Sequence, residues 1–246
     1  MSGHSKWANI KNKKAKTDAA RGKIFTKIGR ELAVAAKGGS DPSTNSKLAD
    51  VIAKAKAANM PNDNIQRSIK KAAGELGNVN YEVKTYEGYG IGGSAVIVKA
   101  LTDNVNRTVG EVRHIFDKFG GNMGTSGSVS YMFENKGVLI IERTVELDED
   151  SIMEMVLESG AEDVVVEEDV YEVRTSPADF TSVRKYFEEK GISFEEADIM
   201  MVPNDKNTLS DEQLVTFNKM LDAFDDNDDV QAVYHNIELP IEEDDE

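Results

Sequence analysis

The chain contains no cysteine. Disulfides, thiolate nucleophiles and cysteine-ligated zinc are therefore excluded as sources of stability or chemistry. Histidine is almost as scarce, and His4, His114 and His235 lie too far apart in sequence to suggest a metal site at local ligand spacing. The most apolar run, Ser94–Leu101, is far too short to cross a bilayer. Lys6, Lys11, Lys13, Lys14 and Lys16 fall where the apolar region of a signal peptide would sit, so the cytoplasm is the expected address. No local His/Asp/Ser arrangement marks a catalytic centre, the many carboxylates read as surface charge although the fold could pair acids that spacing does not show, and no cofactor is expected.

What remains is a polar chain of 246 residues, 39% hydrophobic and 30% charged, long enough for one to three globular units. Its net charge of −16 conceals a division. Residues 1–73 hold sixteen bases and five acids, whereas residues 74–246 hold thirteen bases and forty acids. A cationic headpiece of +11 joined to an anionic body of −27 points to a polyanionic partner met by the basic end.

The hydrophobic period changes along the chain. Residues 18–74 predict three helices, the first with Ile24, Phe25, Ile28, Leu32, Ala35 and Ala36 on its apolar face and ending at Gly38-Gly39. Arg21, Lys23, Lys27 and Arg30 interleave with that face and are expected to project largely into solvent. The second helix runs from about Asn45 to Ala58, and the third uses Ile65, Ile69 and Ala72/Ala73. From Tyr81 onward the pattern alternates: strands at 81–87 and 94–101, a helix at 104–119, and a strand at 129–133. Residues 137–202 then read β-α-β-β-α-β, the ferredoxin-like order, and a final helix at 209–224 and strand at 230–235 follow. The predicted class is α+β. The basic helical domain (1–79) precedes a ferredoxin-like domain built from 80–135 plus 204–240, into which a second ferredoxin-like domain (136–203) is inserted. An acidic tail (241–246) is expected to be disordered.

The sharpest functional signal is the segment Lys6–Arg30. Phosphate contact needs many cations on one surface, because affinity arises from counterion release. Trp7, the only tryptophan, stands among lysines, where a flat ring can stack on an exposed base. The candidate nucleic-acid-binding residues are Lys6, Trp7, Lys11, Lys13, Lys14, Lys16, Arg21, Lys23, Lys27, Arg30 and Arg107. Arg107, in the first turn of a helix capped by Asp103 or Asn104, is equally suited to a phosphate or to a neighbouring acid. Met60 is a weaker candidate for RNA contact.

Other motifs are rejected on context. Gly88, Gly90 and Gly93 fit G-x-G-x-x-G, but a strand follows where a dinucleotide site needs a helix. A hairpin loop is the expected structure. Gly120–Gly127 reads as a flexible connection. Asp225–Asp229 lacks the glycine and the terminal glutamate of a calcium loop, since Val230 and Asn236 occupy those places, and reads as a solvated turn.

Several stretches carry a resemblance: residues 2–11 (SGHSKWANIK), 18–27 (DAARGKIFTK), 55–65 (AKAANMPNDNI), and Ala100-Leu-Thr-Asp-Asn104 through Gly127-Ser-Val-Ser130. Together they resemble the YebC family of bacterial regulators over nearly the whole chain. The sequence departs from that pattern at Ile91, where the family's glycine loop carries proline, and at Gly29 and Asn12. The resemblance implies a three-domain, non-enzymatic regulator that binds DNA and controls transcription. It also implies an alternative, because mitochondrial relatives activate translation and some bacterial members look ribosome-associated. In that case the ligand is RNA on the ribosome, ribosomal or transfer RNA. A protein partner on the acidic domains is a third possibility.

Overall fold

A computed structural model of the chain describes residues 18–72 and 80–239. Among them are seven α-helices and two four-stranded sheets, an α+β protein. The described residues divide into two compact units, one comprising residues 18–133 together with Pro203–Glu238, the other Glu134–Val202 with Leu239.

The first unit opens with three helices, α1 (Asp18–Ala36), α2 (Ser46–Ala57) and α3 (Asn62–Ala72). Ile28, Leu32, Ala35 and Ala36 of α1 meet Leu48 and Ala55 of α2 and Ile65 and Ile69 of α3 in one core. Asn45 joins the first two helices. Its side-chain oxygen accepts from the Leu48 N–H at 3.1 Å, and its amide donates to the carbonyls of Ala35 and Gly39, both at 2.8 Å. One residue thus caps the start of α2 and satisfies a carbonyl left over at the end of α1. Two expectations fail here. Ile24 is more than a third exposed, and Met60 is buried in the bundle core rather than presented to a ligand. Met60 follows the left-handed Asn59, and its N–H turns back to the Ala55 carbonyl, which folds the side chain inward.

The same unit holds a sheet of β1 (Glu82–Tyr89), β2 (Ala95–Thr102), β3 (Asn122–Met123) and β8 (Val230–His235), ordered β3-β1-β2-β8. All its pairings are antiparallel. Helices α4 (Val105–Lys118) and α7 (Asp211–Asp225) contribute Val112, Phe116, Phe217, Met220 and Phe224 to the buried core, with the Phe116 and Phe224 rings edge-to-face at 5.3 Å. The strand expected at 129–133 is not there. Residues Ser130–Met132 form a 3-10 turn, and the strand that pairs with β1 is the two-residue β3. Gly88 permits that pairing, since a Cβ there would sit 2.5 Å from the Asn122 carbonyl oxygen. β1 also runs two residues past its expected end, through Gly88 to Tyr89, before a 3-10 turn at Ile91–Gly93.

The second unit contains β4 (Phe133–Glu142), α5 (Glu149–Ser159), β5 (Asp163–Val166), β6 (Val170–Thr175), α6 (Phe180–Glu189) and β7 (Glu196–Pro203). The strands are ordered β5-β6-β4-β7 around a core of Leu139, Ile141, Ile152, Val156, Tyr171, Val173, Phe180, Val183 and Phe187. No helix among the described residues is long and apolar enough to cross a membrane.

Candidate nucleic-acid interface

Lys6, Trp7, Lys11, Lys13, Lys14 and Lys16 lie outside the described residues, and the side chain of Arg21 does too. The other candidates are placed, and the structure brings Lys23, Lys27, Arg30 and Arg107 together around one acidic loop. That loop, residues 225–229, joins α7 to β8.

Successive turns of α1 present Lys23, Lys27 and Arg30, spaced three and four residues apart, along one helix flank. Lys23 Nζ lies 2.5 Å from an Asp226 carboxylate oxygen, and this contact raises the lysine's pKa. Lys27 Nζ donates to the Asp225 carbonyl at 2.9 Å and to its carboxylate at 3.1 Å. Arg30 reaches furthest in. Its Nη1 lies 2.6 Å from Asp229 Oδ1 and 2.7 Å from the Asp228 carbonyl oxygen, and its guanidinium stacks over the Tyr81 ring at 5.5 Å. Lys27 is therefore buried, Arg30 partly buried, and both are paired, contrary to the expectation that they project into solvent. The reason is tertiary: carboxylates about 200 residues away neutralise a helix face that sequence alone leaves uncompensated.

Asp229 is the centre of this arrangement and is only 3% exposed. Besides Arg30, its carboxylate accepts from Arg107 Nη2 at 2.7 Å, from the Thr108 hydroxyl at 2.7 Å and from Thr102 at 3.2 Å. Burial opposes ionisation, but Arg107, Thr108 and Arg30 outweigh it and hold the pKa at about 2. Arg107 also pairs with Asp103 at 3.0 Å, and the two acids raise its pKa. Its helix is capped by Asn104, which accepts from the Arg107 N–H at 3.1 Å. Of the two partners expected for Arg107, the structure supplies the acid. The segment 225–229 is thus more than a solvated turn, since Asp229 is buried although Asp226 and Asp228 stay exposed. It is a receptor for the bundle's basic flank, and an Asn227 amide donating to Glu111 at 2.8 Å ties it to α4 as well.

The cations left over stand elsewhere on the bundle. Lys47 and Lys56 on α2, and Arg67, Lys70 and Lys71 on α3, are exposed, and none has a partner among the described residues. Arg67, Lys70 and Lys71 occupy the helix side opposite Ile65 and Ile69. Arg67, Lys70 and Lys71, sharing one exposed side of α3, have the arrangement that phosphate rewards, several cations on one solvated surface. The sequence reading passed over these five. The available signal was that the bases of 46–71 avoid the apolar stripe of both helices.

A second cluster lies at one end of the first sheet. Glu87 is buried, and its carboxylate accepts from the N–H groups of Gly127, Val129 and Ser130 at 2.9, 3.0 and 2.9 Å. Burial pushes its pKa up, but these three amides outweigh that and lower it. The Gly124 N–H adds a bond to the Glu87 carbonyl at 2.8 Å. Residues 124–130 are accordingly held by one residue, through its main-chain carbonyl at Gly124 and its carboxylate at 127–130, not the free connection expected from their composition. No group of three or more His, Asp or Glu that could hold a metal occurs among the described residues.

Residues 5–75 match the model of the TACO1/YebC protein N-terminal domain, and 81–237 match that of the TACO1/YebC second and third domain. A protein of Acetivibrio thermocellus named a probable transcriptional regulatory protein is 60% identical over 96% of this chain and 98% of its own length. One from Clostridium novyi with the same designation is 58% identical over 98% and 99%. A crystal structure of a conserved hypothetical protein from Aquifex aeolicus superposes with a TM-score of 0.83 at 45% identity, covering 94% of this chain and 96% of that one. The chain belongs to the TACO1/YebC family of regulatory proteins.

Proposed function

We propose that the protein is a cytoplasmic, non-enzymatic regulator of gene expression that binds nucleic acid through its basic N-terminal end, with DNA as the first ligand and transcription as the first process to test. One observation carries this reading: Lys47, Lys56, Arg67, Lys70 and Lys71 are exposed cations, without partners among the described residues, on the headpiece of a chain otherwise rich in acid. The names of the relatives point the same way. Lys6, Trp7, Lys11, Lys13, Lys14, Lys16 and Arg21 belong to the proposed interface. Lys27, Arg30 and Arg107 serve it indirectly, by fixing the bundle against the acidic loop. The acidic body repels polyphosphate and so orients it toward the headpiece.

A second reading, RNA on the ribosome, is favoured by the predominance of lysine over arginine. Lysine contacts phosphate as a point charge and reads no base pattern. In architectural terms we take residues 1–79 as a helical domain followed by two ferredoxin-like domains, the second inserted in the first. The order β5-β6-β4-β7 fits a β-α-β-β-α-β unit. The order β3-β1-β2-β8 fits the same arrangement with β1 supplied from before the unit instead of after β3.

Ultraviolet crosslinking of the tagged protein in cells, with sequencing of the DNA and RNA recovered, tests the proposal. Promoter-proximal DNA supports the first reading, and ribosomal or transfer RNA the second. Recovery of neither above an untagged control rejects both.

A further inference from the structure

Charge is absent from two loops of a chain that is otherwise 30% charged. Residues 89–93 and 119–132, largely outside the buried strands, contain no Asp, Glu, Lys, Arg or His. The fold brings the two runs together. Asn122 pairs with Tyr89 across β3 and β1, and a Cβ on Gly121 would lie 2.6 Å from the Tyr89 carbonyl oxygen. Glu87, which precedes the first run, is buried and its carboxylate is occupied by three backbone amides. The exposed residues of these two runs add no fixed negative charge of their own against a polyanion.

The two runs carry two open rings. Tyr131 is 69% exposed and Tyr89 is 39% exposed. Their hydroxyls lie 3.5 Å apart, and the Tyr89 hydroxyl donates to the Ser128 carbonyl at 3.2 Å. Asn122 is exposed, and its amide has no partner among the described residues. It lies directly across from Tyr89 and so on the same face of the sheet. Nothing in the packing requires two tyrosines to stand in solvent here, and the Glu87 clamp fixes the segment that leads into Tyr131. Two held π faces beside an amide able to both donate and accept suit one kind of ligand, an unpaired nucleobase: stacking tolerates any base, and the amide addresses its edge.

We propose that Tyr89, Asn122 and Tyr131 form a stacking site for an unpaired base of a single-stranded nucleic acid, separate from the phosphate contacts of the helical bundle. This rests on the reading of the protein as a nucleic-acid binder. It adds a discrimination that the bundle cannot provide, since duplex bases are stacked inside the helix and out of reach.

The test is anisotropy of a labelled twelve-nucleotide oligouridylate and of a duplex of equal length, with the full-length protein and with Tyr131→Ala and Tyr131→Phe. Loss of one base stack weakens single-strand binding roughly 5- to 150-fold in Tyr131→Ala. Tyr131→Phe keeps the π face and retains affinity, and duplex binding is unchanged in both. Photocrosslinking of a 5-iodouridine oligomer places the adduct on Tyr89 or Tyr131. Wild-type single-strand affinity in Tyr131→Ala, equal weakening of duplex and single strand, or adducts confined to the bundle overturns this site and leaves the bundle's role standing. Failure of the unaltered protein to bind either probe overturns the site and the proposed function together.

Discussion

Replacing Asp229 by Asn is the most informative single change in the first unit. The carboxylate is nearly inaccessible and is shared by Arg30, Arg107, Thr102 and Thr108 at 2.6–3.2 Å. Its pKa falls from an ordinary 3.8 to about 2, a difference worth about 2 kcal/mol at roughly 1.4 kcal/mol per unit. Removing one member of a buried ion pair costs about 3–5 kcal/mol when the partner stays buried. Arg107 is 43% exposed and recovers hydration, so the expected loss is about 2–4 kcal/mol. Urea unfolding of wild type and Asp229→Asn at pH 7 measures it. The pH dependence follows from the sign of the shift. A depressed carboxylate contributes its full stability above its unfolded pKa and loses it as pH falls through the folded value. The gap between the two proteins should therefore hold steady from pH 7 to 5 and shrink between about pH 4 and pH 2. A difference under about 1 kcal/mol at pH 7, or one that persists undiminished at pH 2, refutes the reasoning.

Glu87→Gln removes the charge that orders residues 127–130. Amide exchange at Gly127, Val129 and Ser130 should accelerate, with a stability loss of about 1–3 kcal/mol by chemical denaturation. Gly88→Ala drives a methyl into the Asn122 carbonyl, and the β3 pairing should be lost at a cost of about 1–3 kcal/mol, visible as collapse of amide protection at Asn122 and Met123. Met60→Ala, buried in the bundle core, should cost about 2–4 kcal/mol in thermal or urea unfolding. A surface-like effect below about 0.5 kcal/mol would contradict its placement.

Much of the architecture is written locally. Ile28, Leu32 and Ala35 repeat at helical spacing, and the run Ala95–Thr102 is apolar between turn signals, so element type follows from period alone. The failures have physical causes. A two-residue strand such as β3 has no period, and its place is set by the missing side chain of Gly88. The site was legible only in its net charge. That Lys27 and Arg30 are consumed by Asp225, Asp228 and Asp229 depends on interactions between residues about 200 positions apart. Counting bases singles out the headpiece, but it could not tell the cations that bind the chain itself from those that face solvent. The tyrosine pair was missed for the same reason: Tyr89 read alone as part of a hairpin loop and Tyr131 as part of a strand, and neither element shows that they meet.

The central claim is that exposed cations of the helical bundle meet phosphate. The slope of log affinity against log salt, measured on a DNA duplex for wild type and for the triple variant Arg67→Gln, Lys70→Gln, Lys71→Gln, addresses it directly. Each phosphate left without its cation should flatten the slope by about 0.9, up to about 2.7 for all three, with weaker binding at low salt. An unchanged slope and affinity in the triple variant would contradict the account.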